Sequence, residues 1–397
     1  MSSAIRTAGR LPPIVRRLGV VSFFNDFASE MVYPLLPALI TARLGGTAVA
    51  LGALDGVAEG VSAVAKLVSG RLADRPGHRR VLVVVGYTLA AVARPAMGVA
   101  VAAWQVVGLR GADRLGKGLR SPARDTVIAD STARASRGRA FGFHRGMDHA
   151  GAVVGPLVAW ALIAQGGLQP DRVIVWSLVP GVLSVAVVAW AMSRLRSGSI
   201  PTDARTDAMV SRAGGSRFVF GLVVAFAFAR MPETLMLLRL QDVGMSVALV
   251  PLVWSALHVI RSAASYPGGW LSDRIGPRAT MTLGWVVYAV VCAGLALSDD
   301  PLTAAAWFAV FGLVAGATEG PERAFVAGAG AGGRRGSRFG VYHASVGVAA
   351  LPGSLLLGGV YEMVQGPAAL GASGGLTAVL ALLAVLGPRR GSETTTV

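Results

Sequence analysis

The chain has 397 residues, of which 53% are hydrophobic and only 15% charged, and its formal net charge is +16 at pH 7. Ordinary soluble domains contain about 45–50% apolar and about 25% charged residues, so this composition excludes a typical water-soluble fold. Three stretches, 173–193, 279–298 and 363–388, contain no Asp, Glu, Lys or Arg. Each is long enough to cross a bilayer, which requires about 20 mainly apolar residues.

Taken in chain order, the apolar stretches predict twelve membrane-spanning helices. The first six are predicted at 17–40, 47–69, 81–102, 104–125, 139–163 and 172–193. The other six are predicted at 217–239, 246–270, 279–298, 302–325, 338–361 and 366–387. The segment between these groups is polar and Arg-rich, and it contains the Ser and Gly that are common in linkers. The predicted organisation is a six-helix half at 1–193, a linker at 194–216 and a second six-helix half at 217–397.

The arginines are concentrated on one side of this predicted topology. The segments on the side of the N-terminus carry 23 of them, whereas the opposite connections carry only Arg43, Arg172 and Arg239. Cytoplasmic loops of membrane proteins carry an excess of Lys and Arg, so both termini and the linker are predicted to be cytoplasmic. The positive net charge of the chain is therefore explained by its predicted membrane topology. No nucleic-acid partner is expected, although clustered arginines can neutralise phosphates.

The two predicted halves contain matching motifs. "SGRLADRPGHRR" at 69–80 returns as "GGWLSDRIGPR" at 268–278. Gly70, Leu72, Asp74, Arg75 and Gly77 each have an identical residue 199 positions later. Two further matches follow in the same order, "SPAR" at 121–124 with "GPER" at 320–323, and "RAFGFHR" at 139–145 with "SRFGVYH" at 337–343. Three matches in order indicate a duplication. Since each half has six predicted helices, both halves run in the same direction across the membrane.

On these motifs the chain resembles the major facilitator superfamily over nearly its whole length. The loop signature of that family between helices 2 and 3 is matched by Gly70, Asp74, Arg75, Gly77, Arg79 and Arg80. Its weaker echo between helices 8 and 9 is matched by Gly269, Asp273, Arg274, Gly276 and Arg278. The resemblance implies an all-α integral membrane protein, built as two six-helix pseudo-repeats around a central cavity.

The first copy of the motif lies at the predicted cytoplasmic end of a helix. Gly77 can adopt the positive φ of a tight turn, and Asp74 can accept hydrogen bonds from the N-terminus of a neighbouring helix. The resemblance implies that Asp74 and Arg75 make such contacts between the halves and latch the cytoplasmic side shut. Asp273 and Arg274 would do the same in the second copy. The alternative is a simple turn with positively charged anchoring residues.

The predicted fifth helix contains "GAVVGP" at 151–156. Small residues four apart let helices approach closely, and a proline can kink the span. Gly151, Gly155 and Pro156 resemble the helix 5 signature of the drug/proton antiporter branch of the family, although its closing Gly pair is replaced here by Ala159 and Trp160. This resemblance favours export by antiport, and plain helix packing is the alternative.

Several acidic residues lie inside predicted spans, where charge is expensive and usually faces the interior of the bundle. Asp26 and Glu30 are four apart and share a helix face, as do Asp55 and Glu59. Two carboxylates held close in a low dielectric repel each other, so it costs free energy to keep both charged and one of them tends to bind a proton. A proton carrier needs this tendency. The resemblance supports this role, because an acidic residue in helix 1 often carries the coupled proton in drug antiporters. Asp148 is the fifth candidate.

Basic residues also lie near the predicted membrane centre. The candidate cavity residues are Arg94, Arg110, Asp113, Arg114, Arg145, Arg230 and His258. A basic residue in helix 4 is typical of the family, where it assists proton movement, and Arg110 or Arg114 matches it. The alternatives are binding of an anionic substrate group, a salt bridge to Asp113 or Asp148, and permanent pairing of these arginines with the acids of helices 1 and 2.

The sequence lacks the motifs of other functions. No His pair has ligand spacing on one helix, so no metal site is predicted, and no nucleophile elbow or phosphate-binding loop indicates an enzyme. No cofactor is expected. We therefore predict a monomeric secondary transporter of the bacterial cytoplasmic membrane that moves a small polar or amphipathic compound by proton-coupled efflux. Proton-coupled uptake of an anionic metabolite is the first alternative, followed by metal export and by a membrane enzyme or receptor that reuses the fold.

Overall fold

The computed structural model describes residues 11–36, 39–45, 48–194, 215–245, 250–328 and 334–388. Every regular element within these ranges is helical. The two predicted cytoplasmic termini and almost all of the predicted linker at 194–216 lie outside the described residues. The side chains of Asp55 and Glu59 also lie outside them, although the helix that carries these two candidates is described.

The helices of the first half are α1 (Pro13–Val32), α2 (Ala48–Ala73), α3 (Pro76–Gly98), α4 (Ala103–Asp130), α5 (Arg137–Ala164), α6 (Pro170–Trp176) and α7 (Leu178–Ser193). Those of the second half are α8 (Gly215–Ala229), α9 (Glu233–Asp242), α10 (Val250–Ile275), α11 (Pro277–Ala296), α12 (Pro301–Gly328), α13 (Arg335–Val364) and α14 (Gly366–Leu386). The predicted sixth and seventh helices are each broken in two. The expected count of twelve continuous helices is therefore not confirmed.

Among the described residues, seven helical segments are long and apolar enough to cross a membrane, and a shorter apolar helix lies at Arg217–Ala229. The seven are Pro76–Gly98, Arg134–Ala164, Pro170–Ser193, Pro277–Ala296, Pro301–Gly328, Arg335–Val364 and Gly366–Leu386. Helices α1, α4 and α10 are long but do not belong to this group, because ionisable side chains lower their average hydropathy. These three helices line the interior described below.

The outer surface of the bundle is apolar, as a lipid-facing surface requires. On α3, for example, Val81, Val85 and Val92 are all exposed. Inside the second half, Phe226 lies 5.3 Å from Trp285 and 5.5 Å from Tyr288 between ring centroids. Because lipid is as apolar as these side chains, close packing stabilises such a core more than removal from water does.

Glycines set the closest helix crossings in the bundle. A Cβ atom built on Gly155 of α5 would lie 2.6 Å from the carbonyl oxygen of Phe27 on α1, and one on Gly151 would lie 2.9 Å from the Phe27 nitrogen. The signature of the fifth predicted helix therefore packs α5 against the helix that carries Asp26 and Glu30. Helix α5 continues through Pro156.

The two halves meet along two equivalent pairs of helices, α5 with α10 and α2 with α13. A Cβ atom on Gly70 of α2 would lie 2.7 Å from the Gly336 oxygen and 2.7 Å from the Gly340 Cα atom of α13. On the other side, Gly138 and Gly269 leave no room for a Cβ atom between α5 and α10. Both motif glycines therefore allow backbone contact between the halves.

Candidate functional site

A buried ionic cluster joins α3 and α4 within the first half. Arg94 Nε donates to Asp113 Oδ1 at 2.9 Å, and Arg110 Nη1 donates to Asp113 Oδ2 at 3.2 Å. Arg114 Nε lies 3.7 Å from the same carboxylate. Arg94 also donates to the backbone oxygen of Asn25 on α1 at 2.7 Å. Three guanidinium groups thus share one carboxylate, which leaves this region with an excess of positive charge.

Asp26 and Glu30 lie one turn apart on α1, and both are partly exposed. Asn25 Nδ2 donates to Asp26 Oδ1 at 2.7 Å. Within the described part of the chain, neither carboxylate has a basic group within 4.0 Å. The three arginines that could have paired with them permanently are gathered around Asp113 instead. Asp26 and Glu30 therefore lack the ion pairs that fix the other buried carboxylates.

Asp148, the remaining acidic candidate with a described side chain, is paired. Arg145 Nη1 donates to Asp148 Oδ2 at 2.5 Å, and His144 Nδ1 lies 3.6 Å from the same oxygen. His144 is in turn 2.8 Å from Ser22 Oγ on α1. The environment of Asp148 thus differs from that of Asp26 and Glu30, although all three lie near the same α1–α5 contact.

Arg145 also forms an ion pair with Glu319 of α12 and so connects the two halves. His149 Nε2 lies 3.7 Å from Glu319 Oε1, and His149 Nδ1 lies 3.3 Å from Nδ1 of His258 on α10. Two sequence candidates, Arg145 and His258, therefore meet at this junction. Glu319, the partner of Arg145, and His149, the partner of His258, were not among the candidates.

A second junction between the halves surrounds Asp125 of α4, which is fully buried. Its carboxylate is 2.8 Å from Nε2 of His343 on α13, 2.9 Å from Arg124 Nη2 and 3.6 Å from Nε of Arg323 on α12. Sequence reasoning missed Asp125, Arg323 and His343 as site residues. The signal was present, because Arg124 and Arg323 occupy matching positions in "SPAR" and "GPER".

The motif aspartates make their contacts at one end of the bundle, here called the latch end. Asp74 Oδ1 accepts from the Ser337 backbone nitrogen at 3.1 Å in the first turn of α13, and its other oxygen accepts from the Ser337 hydroxyl. Asp273 accepts from the Gly138 and Arg139 backbone nitrogens of α5 at 2.8 and 3.1 Å, and from Arg139 Nε at 2.9 Å. Each aspartate therefore binds the N-terminus of a helix in the opposite half.

The motif arginines behave differently from the expectation drawn from the resemblance. Arg75 is exposed, and Arg274 lies over the ring of Trp270 on its own helix, at 3.7 Å from the centroid. Neither contacts the opposite half through an ion pair among the described residues. Arg79 is buried instead and donates to Asp130 at 2.7 Å, and Asp130 forms an ion pair with Arg335 of α13. The ionic contact between the halves therefore involves Arg79, a later arginine of the motif, and not Arg75.

The turn glycines also differ between the two copies. Gly276 has a φ of +90° and directly precedes the first residue of α11. Gly77 has no positive φ, because Pro76 already begins α3 and places Gly77 in its first turn. The expected left-handed conformation of Gly77 is therefore wrong. Both helices begin with a proline, but Pro76 precedes Gly77 whereas Pro277 follows Gly276, so only Gly276 stays outside its helix.

Arg230 lies at the break between α8 and α9 and is exposed. The backbone nitrogen of the next residue, Met231, donates to the Tyr288 hydroxyl at 2.7 Å and to Ser373 Oγ at 3.1 Å. Glu233, the first residue of α9, accepts from Arg261 Nη2 at 2.6 Å. Among the described residues, no group of three His, Cys, Asp or Glu side chains is placed to hold a metal ion.

The helical fold, the apolar surface and the charged interior between two repeated halves define a membrane transporter. The family model for the Major Facilitator Superfamily matches residues 18–260 and 213–396, and the chain belongs to that family. It is a transporter and not an enzyme.

Similar proteins include an uncharacterized MFS-type transporter of Methanocaldococcus jannaschii, 27% identical over 87% of this chain and 88% of the relative. An uncharacterized protein of Mycobacterium tuberculosis is 30% identical over 88% of this chain and 86% of the relative. The multidrug resistance protein MdtH of Escherichia coli is 26% identical over 56% of this chain and 52% of the relative.

Solved structures share the fold at low sequence identity. The Escherichia coli fucose:proton symporter FucP has a TM-score of 0.70 at 13% identity, covering 94% of this chain and 98% of its own. The human organic anion transporter MFSD10 has a TM-score of 0.73 at 14% identity, covering 94% of this chain and all of its own.

Proposed function

We propose that the protein exports a small polar or amphipathic compound across the bacterial cytoplasmic membrane in exchange for protons. It has twelve spans in two six-helix halves, residues 1–193 and 217–397, joined by a cytoplasmic linker at 194–216. It works as a monomer with both termini in the cytoplasm. The multidrug resistance of the MdtH relatives supports export of drug-like compounds, and the proton symport of FucP supports coupling to protons.

The observation that carries the coupling proposal is the environment of Asp26 and Glu30. Two carboxylates one turn apart, without a basic group within 4.0 Å among the described side chains, are costly to keep charged together. Each can therefore take up and release a proton as water reaches it from one side or the other. Asp113, Asp125 and Asp148 are held by ion pairs, which favour the charged form throughout.

Alternating access requires the halves to separate at one end while they meet at the other. The inter-half contacts described above extend from the latch end to the level of His149 and His258. With these contacts made the halves are closed together at the latch end, and we propose that this end faces the cytoplasm. Asp74 and Asp273 act as the latch, because each must release a helix N-terminus before this end opens.

Flux measurements in proteoliposomes under an imposed pH gradient test the coupling. The compound used in these measurements is found first, by screening for one whose export differs between cells with and without the protein. Asp26→Asn and Glu30→Gln preserve side-chain size but cannot carry a proton, so we expect at least one of them to abolish pH-driven flux. Binding and proton-independent exchange should survive in that variant.

Asp300→Asn provides the matched control, because Asp300 is an exposed acid in the turn before α12. It should leave driven flux unchanged. Full driven flux in both single variants and in the double variant would remove α1 from the mechanism. Asp55, Glu59 and Asp148 would then be the remaining acids to test.

Proton-coupled uptake of an anionic metabolite is the second candidate function. It is favoured by the excess of basic groups around Asp113. The direction of coupling distinguishes the two candidates, because antiport moves the compound against the imposed proton flow and symport moves it along that flow.

A further inference from the structure

We propose that the transported compound carries an anionic group, and that Lys117 of the first half and Arg230 of the second half bind it. This proposal rests on the proposed transport function and specifies its substrate class. It begins from two cations that project from opposite halves without a carboxylate within 4.0 Å among the described side chains.

Lys117 lies on the interior face of α4. At 100° per residue, Lys117 points away from Leu115 and Leu119 and shares a face with Arg110 and Arg124. Leu115 and Leu119 line an apolar groove with α2 on the outside of the bundle, with a volume of about 420 Å³. The side chain of Lys117 is nevertheless exposed. It therefore reaches open space on the interior side of α4.

The charges around Lys117 are mostly positive. Its electrostatic neighbours are Arg114, Lys66 and Arg120, with Asp26 as the acidic one. Arg120 is buried against the ring of Tyr87, at 4.7 Å from the centroid, and donates to the Gly86 oxygen at 3.2 Å. Acidic side chains do not fully neutralise these basic groups. An anion that enters this region therefore meets a positive electrostatic field.

Arg230 faces three acids that already have other partners. Its acidic neighbours are Glu233, Glu319 and Glu322. Glu233 accepts from Arg261 at 2.6 Å, Glu319 pairs with Arg145, and Glu322 accepts from the Tyr342 hydroxyl at 2.9 Å. Arg230 stays exposed, although it lies near the middle of the predicted seventh span.

The break that carries Arg230 is firmly built. Tyr288 and Ser373 are almost fully buried, their hydroxyl oxygens are 2.8 Å apart, and both accept from Met231 N. Ser373 also donates to the Ala229 oxygen at 2.7 Å. The freed backbone groups of the broken helix are thus satisfied by fixed side chains, as non-helical backbone at membrane depth requires. Arg230 is presented from a rigid support.

An anion bound by both cations would form charge-assisted hydrogen bonds, which are about twice as strong as neutral ones. Because one cation comes from each half, the binding of such an anion would also depend on the relative position of the halves. Carboxylates, phosphates and sulfonates share this chemistry.

Charged thiol reagents test the site without knowledge of the substrate. In a Cys292→Ala background, Arg230→Cys puts a thiol at the Arg230 position and keeps Lys117, and Lys117→Cys puts a thiol at the Lys117 position and keeps Arg230. Each protein reacts with the anionic sulfonatoethyl or the cationic trimethylammonioethyl methanethiosulfonate, and the rates are normalised to those of a free thiol. Positively lined clefts raise local anion concentrations by about 10-fold or more. We expect the anionic reagent to be favoured by about that factor.

Neutralising the remaining cation is the decisive step. Lys117→Gln in the Arg230→Cys protein and Arg230→Gln in the Lys117→Cys protein should each reduce the anion preference several-fold. Arg43→Gln, which removes an exposed arginine at the end of the bundle away from the latch, should not. A preference for the cationic reagent, or an anion preference that neither Gln substitution changes, would overturn the proposal.

The charge of the compound found in the export experiment gives a separate outcome. A neutral or cationic compound that is driven by the pH gradient would refute the anion proposal and leave the transport function standing. An anion-selective site without any driven flux would support the site and refute the proposed coupling.

Discussion

The two latch aspartates should differ in strength, and the second copy of the motif should be the stronger one. Asp273 uses both carboxylate oxygens to accept two backbone N–H groups and the charged Nε of Arg139. In Asp273→Asn one of these oxygens becomes an NH₂ group that faces donors. Hydrogen bonds to charged groups contribute about 1.5–3 kcal/mol, and the helix dipole adds about 0.3–1 kcal/mol. We expect a loss of about 2–3 kcal/mol from the closed state.

Asp74→Asn should cost less. Asp74 accepts from one backbone N–H and from the Ser337 hydroxyl, which can rotate and accept from an amide instead. The loss is then mainly the interaction between charge and helix dipole, about 0.5–1 kcal/mol. At RT of about 0.59 kcal/mol, Asp74→Asn shifts the closed-to-open ratio about 2- to 5-fold, whereas Asp273→Asn shifts it about 30- to 150-fold.

Spin labels on cysteines at His78 and Arg334, which are exposed at the latch end of opposite halves, measure this ratio as a distance distribution. Asp300→Asn is the matched control. Asp300 accepts from Leu302 N at 3.0 Å and Thr303 N at 2.9 Å within a single half, and hydrogen bonds from Thr303 hold the pKa of its carboxyl below the ordinary value. It should not change the distribution. A larger shift for Asp74→Asn than for Asp273→Asn would refute this reasoning.

Three further predictions concern packing, charge and topology. Gly269→Ala should abolish the closed state and transport, because its Cβ atom has no room beside the Gly138 backbone, whereas Gly77→Ala meets open space and should transport normally; equal flux in the two variants would contradict this. Asp113→Asn leaves buried arginines unpaired, so the melting temperature of the purified protein should fall, by a stability loss of about 3–5 kcal/mol; an unchanged melting temperature would argue against the cluster. Cysteines at Ser199 and Thr394 should react with an impermeant thiol reagent only after cell lysis, and labelling of intact cells would reverse the predicted topology.

Much of the fold could be predicted from sequence because hydropathy and duplication are properties of the chain itself. The 199-residue offset relates Asp74 to Asp273, and both bind a helix N-terminus in the opposite half. The breaks at Ser177 and after Ala229 were not predicted. The free-energy cost of such a break depends on distant side chains such as Tyr288, which form hydrogen bonds with the freed backbone groups. The sequence around the break does not show which side chains these are.

Pairing among the charged residues was harder to predict. Spacing along one helix places Asp26 and Glu30 on a common face, but it does not show whether Arg94 reaches them or Asp113. Which of these carboxylates Arg94 pairs with depends on how α1, α3 and α4 cross. Glu319 is a different case, because it lies next to the "GPER" repeat, and its partnership with Arg145 required knowing that α5 and α12 meet between the halves.

The sharing of Asp113 by Arg94, Arg110 and Arg114 has a consequence for the membrane itself. Three guanidinium groups around one carboxylate leave two positive charges in excess in the buried interior of the first half. Fixed arginines of this kind exclude protons and metal cations from water-filled membrane channels. We therefore expect the same cluster to oppose the passage of metal cations through the first half. Asp113→Asn should leave this repulsion in place, because it removes the only negative charge of the cluster and keeps all three arginines.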